Sequence, residues 1–65
     1  MKYYLYHVKT DQVCKLNSKE KHDFCWLNGG LKKGSLISLK KARYIILYIV
    51  HEFESTSEEF NIIKL

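Results

Sequence analysis

The side chains best equipped for chemistry in this chain are two cysteines, Cys14 and Cys25, and three histidines, His7, His22 and His51. His22 and Cys25 stand at His-x-x-Cys spacing, which is half of a metal-binding pattern. A structural zinc takes four ligands, usually as two close pairs. Cys14 stands alone, and His7 or His51 would have to bring the fourth ligand from far along the chain. The expectation is no metal, with buried cysteine and surface histidine instead. A cysteine nucleophile with a histidine base needs a cleft, an orienting third group and an oxyanion hole. A chain of 65 residues has little material to enclose one. Asn28-Gly29-Gly30 lacks the spacing of a phosphate loop or dinucleotide fingerprint and reads as a turn. No catalytic residue, no cofactor and no enzymatic activity are expected.

Two other constellations suit binding. Lys32, Lys33, Lys40, Lys41 and Arg43 cluster beside Tyr44 and Tyr48. Lysines neutralise phosphates without reading sequence, and tyrosines stack on unpaired bases. A single arginine is poor equipment for reading base edges, so nucleic acid is the alternative partner rather than the leading one.

The leading one comes from Ser38 to Glu54, SLKKARYIILYIVHEFE, which reads as a helix with two apolar stripes. Ala42, Ile45, Ile46, Ile49 and Phe53 follow helical spacing and form a core-facing side. Tyr44, Leu47, Tyr48 and His51 repeat the same spacing and are expected to point the opposite way. A surface helix of a lone domain needs only the first stripe. The second implies a cover, supplied by another element, a second copy or a partner protein. Lys40, Lys41 and Arg43 in the first turns, with Glu52 and Glu54 in the last, oppose the helix dipole at a cost of ~0.3–1 kcal/mol each. An antiparallel pair of such helices would set the basic turns of one copy near the acidic turns of the other.

The elements that must position these residues are short. Lys2 to Lys9 reads as a strand with both alternating sets apolar, and Thr10, Asp11 and Gln12 break it before a second strand over Val13 to Leu16. The turn lacks an Asn-Gly or Asp-Gly pair. Asn17 to His22 is polar and lysine-rich, a loop or a first helical turn that Ser18 could cap. Phe24 to Leu27 is an apolar run closed by turn residues; periodicity alone does not separate strand from helical turn, and its shortness favours strand. Ser38 is a good N-cap for the long helix, Ser55 to Ser57 end it, and Phe60 to Leu65 forms a last strand, suited to lie beside the first. The expected fold class is α+β: one domain over 1–65, a small antiparallel sheet in the order β-β-(β)-α-β, with one long helix packed on one face.

Composition bounds the rest. A chain this short buries only about 60% of the surface that its unfolded form exposes, yet 46% hydrophobic and 14% aromatic residues supply a core. The first 43 residues carry ten basic groups against three acids, and residues 44–65 carry one against four, so the molecule has a basic and an acidic end. No secretory signal or membrane-length apolar run is visible, which favours a cytoplasmic setting with both thiols free. Lysine outnumbers arginine ten to one and proline is absent, as in A/T-rich genomes of low-GC bacteria, their phages or other viruses. The sequence thus points to a small non-enzymatic module, of the phage or mobile-element accessory kind. It would bind a protein partner or itself, as a homodimer, through Tyr44, Leu47, Tyr48 and His51, without contact to membranes.

Overall fold

A computed structural model describes residues 2–17 and 23–64. Strands β1 (Tyr3–His7), β2 (Gln12–Leu16) and β3 (Phe24–Asn28) precede helix α1 (Leu39–Phe53), and β4 (Phe60–Lys64) closes the chain. The four strands form one antiparallel sheet in the order β3-β2-β1-β4, with α1 on one face. The expected α+β architecture is therefore present. The run from Phe24 is a strand, and the final strand lies beside the first. The proposed cap at Ser18 falls outside the described residues.

Alternation along the strands assigns the two faces. Tyr3, Leu5 and His7 of β1, Cys14 and Leu16 of β2, Phe24 and Trp26 of β3, and Phe60 and Ile62 of β4 share the helix side, as the register requires. Leu5, Cys14 and Phe60 pack with Ile37, Ala42, Ile45 and Ile49 into one buried cluster. The other face carries Tyr4, Tyr6, Cys25, Leu27 and Ile63, all half-buried, together with fully buried Val13.

Val13 is covered by the connection from β3 to α1. A 3-10 turn (Leu31–Lys33) lies against β2, and Gly34 rests on Val13. A Cβ on Gly34 would stand 3.1 Å from both the Cys14 carbonyl oxygen and the Val13 side chain, so a side chain here would require them to give by a few tenths of an ångström. The β1–β2 hairpin holds its register only at Tyr6–Val13 and His7–Gln12 and then splays. The segment 35–37 fills the gap. Ser35 N–H donates to the Cys14 carbonyl at 3.0 Å, its hydroxyl accepts from Leu16 N–H at 3.0 Å, and Ile37 exchanges two 2.8 Å bonds with Tyr3. The chain thereby passes from one face of the sheet to the other with Ser35 bonded to β2 and Ile37 to β1.

Helix α1 starts as its sequence dictates. The Ser38 hydroxyl accepts from Lys41 N–H at 3.1 Å, satisfying one of the orphan donors of the first turn. The helix ends at Phe53, where Glu54 takes the left-handed conformation (φ 52°) that glycine usually supplies.

Candidate functional site

The two stripes of α1 are not opposite one another. Ala42, Ile45 and Ile49 are buried and Ile46 packs against them, but Phe53 is 68% exposed, so the inner stripe stops one turn early. Tyr44 and Tyr48 are half-buried against the edge of the core. Tyr48 meets Phe24 of β3 edge-on at 6.0 Å between ring centroids, and Phe53 at 6.4 Å. The reason is that α1 packs closest to β1 and β4. The β2–β3 half of the face is topped by aromatic side chains, which the tyrosine flank of the helix reaches. Of the four residues expected to bind a partner, Leu47 (69% exposed) and His51 point fully outward, while Tyr44 and Tyr48 form the shoulder between core and solvent.

The basic cluster is divided by the sheet. Lys40, Lys41 and Arg43 lie on α1, whereas Lys32 and Lys33 lie in the turn that covers Val13 on the other face. Lys41 Nζ stands 5.8 Å from the Tyr44 ring centroid, a cation–π distance. Lys40, Arg43, Tyr44 and Leu47 line one shallow depression.

A third feature has no counterpart among the expected sites. Between the C-terminal half of α1 and β3 runs a groove of about 480 Å³, walled by Phe24, Trp26, Tyr48, Ile49 and Phe53, with His7, Thr10, Gln12 and Ser55 at one end. His7, expected at the surface, is half-buried here, edge-on to Trp26 at 5.6 Å and to Phe60 at 4.7 Å. Its Nε2 lies 3.8 Å from Glu59 Oε2. Glu59 also accepts a hydrogen bond from the Ser55 hydroxyl and pairs with Lys9 at 3.0 Å. These contacts, the Ser55 bond foremost, hold its carboxyl below the ordinary range. The signal for this groove was the aromatic content of β3 and of the C-terminal half of α1. Its assembly depends on where α1 lands, which no local pattern encodes.

The cysteines occupy opposite faces of β2 and β3. Cys14 faces α1 and Cys25 faces away, so their side chains neither bridge nor converge on one ion. Among the described residues no three His, Cys, Asp or Glu side chains converge on a point; His22 lies outside them. No helix among the described residues is long and apolar enough to cross a membrane. No family model, curated protein or solved structure matches the chain.

Proposed function

We propose that this chain is a non-enzymatic protein-binding module, acting in the cytoplasm, whose contact surface is the outward shoulder of α1 formed by Tyr44, Leu47, Tyr48 and His51. One observation carries the reading: Leu47 is 69% exposed at mid-helix between two half-buried tyrosines. A lone exposed leucine needs no explanation, but a leucine flanked by tyrosines has the composition of an interface centre. Self-association is its simplest form. Two copies of α1 set antiparallel would bring Lys40 and Lys41 toward Glu52 and Glu54. Leu47→Asp would abolish association, whereas reversing Lys40 and Lys41 to Glu would weaken it only modestly, because rim charges tune encounter more than they hold a contact. Hydrodynamic mass across a concentration series measures both.

A second reading has its own observation, the depression where Lys40 and Arg43 meet Tyr44. If these residues and Lys41 neutralise phosphates, about three counterions are released, and log affinity for duplex falls with log salt at a slope of roughly −3. We expect no such binding at physiological salt, since Lys32 and Lys33 are on the far face and the C-terminal third is acidic. Tight salt-dependent oligonucleotide binding, lost in the lysine variant and retained in Leu47→Asp, would replace the first reading with the second.

A further inference from the structure

We propose that the groove between α1 and β3 binds a cationic side chain, an arginine or lysine carried by an extended segment of a partner protein. The proposal rests on the protein-binding reading and names what one part of that surface takes. Phe24, Trp26, Tyr48 and Phe53 line the groove together with the His7 imidazole, and among the described residues no lysine or arginine does. The faces of such rings attract a cation placed within about 6 Å.

The charge around the rings has the matching sign. Glu52 follows Tyr48 by four residues and Ile49 by three, a spacing that makes neighbours on a helix surface, and both of those residues line the groove. Helix α1 ends at Phe53, so its last carbonyls, the negative end of the macrodipole, close the same region. Glu54 follows directly, held at φ 52°. Lys9 pairs with Glu59, and among the described residues no cation pairs with Glu52 or Glu54. An anion here would meet carboxylates and carbonyl oxygens. The lysines and the arginine of α1, Lys40, Lys41 and Arg43, stand at its other end, and His51 is the basic residue of its last turn. The groove also lies open: Phe53, one of its walls, is 68% exposed, so a side chain can enter from a chain that continues past on both sides.

The chain holds one tryptophan, Trp26, and it lines the groove, so its fluorescence reports occupancy directly. The probes are the blocked pentapeptide Gly-Leu-Arg-Leu-Gly and its counterparts with Gln or Glu replacing Arg, titrated at low salt. The expected result is a saturable change in Trp26 emission with the Arg peptide, roughly fivefold tighter than with the Gln peptide, and none with the Glu peptide. The double variant Glu52→Gln, Glu54→Gln changes two exposed residues and would reduce the preference for Arg over Gln to what the rings and the helix end supply. Phe53→Ala, also at an exposed position, would weaken the Arg peptide severalfold. Equal affinity for the Arg and Gln peptides, or no response to any of them into the millimolar range, would overturn the proposal. Leu47 does not line the groove, so hydrodynamic mass of Leu47→Asp reads the protein-binding surface separately from Trp26 emission.

Discussion

Cys14 and Glu59 show how far surroundings set a side chain's chemistry. Cys14 is 1% exposed beneath α1, and burial pushes its thiol up to about 12, with Cys25 adding to the rise and Lys41 opposing it. The thiolate is the reactive form, so at neutral pH the native protein is expected to take one maleimide, at half-buried Cys25, and a second only on unfolding. Intact mass spectrometry counts the labels, and rapid double labelling of the native protein would contradict the placement. Because the two thiols face opposite sides of the sheet, melts with and without reductant should coincide; losing a native bridge would cost ~2–5 kcal/mol. Glu59 has its folded value lowered below the ordinary 4.5, chiefly by the Ser55 bond. Its stabilising contribution is therefore present above 4.5 and lost as pH falls through the lowered folded value. Urea melts across this range should show a shallower acid loss in Glu59→Gln than in wild type, and parallel curves would contradict the assignment. The Ser38 cap was legible in the sequence, because capping is local. The half-burial of His7 was not, since Trp26 and Phe60, which enclose it, come from other strands.

At the scale of elements, each strand was readable as a short apolar run between turn residues, and α1 as a long run of helical spacing. The crossing segment was not. Ile37 is legible only as the apolar residue before the Ser38 cap, able to pack back on Ala42 as it does in the core, and Ser35 and Leu36 carry no distinctive local pattern; the bridging role of the three appears only once β1 and β2 splay and leave backbone groups to be met. The tyrosine flank of α1 failed as an opposite face for a related reason. A helical wheel gives angles around the axis, while the position of the axis over β1 and β4 decides which angles meet aromatic neighbours. Gly34 tests this account of the crossing. Its φ of −82° suits any residue, so the cost of a side chain here comes from contact alone. Gly34→Ala is expected to cost ~1–3 kcal/mol by overpacking against Val13 and a backbone carbonyl. A denaturant midpoint unchanged from wild type would show that the loop and β2 have slack.

Over the whole molecule, charge changes sign along α1 and apolar surface is arranged by face. The basic N-terminal part of the chain meets an acidic C-terminal third, and α1 runs from one to the other. The change from basic to acidic along α1 was visible in the sequence; the division of the basic cluster by the sheet required the fold. Leu47 and the tyrosine shoulder give the surface through which two copies would meet. The most direct test is sedimentation equilibrium of the wild type and Leu47→Asp at tens of micromolar. Self-association through α1 predicts a reversible dimer for the wild type and a monomer with unchanged circular dichroism for the variant. A wild type that stays monomeric throughout, or a dimer untouched by Leu47→Asp, would contradict self-association through α1.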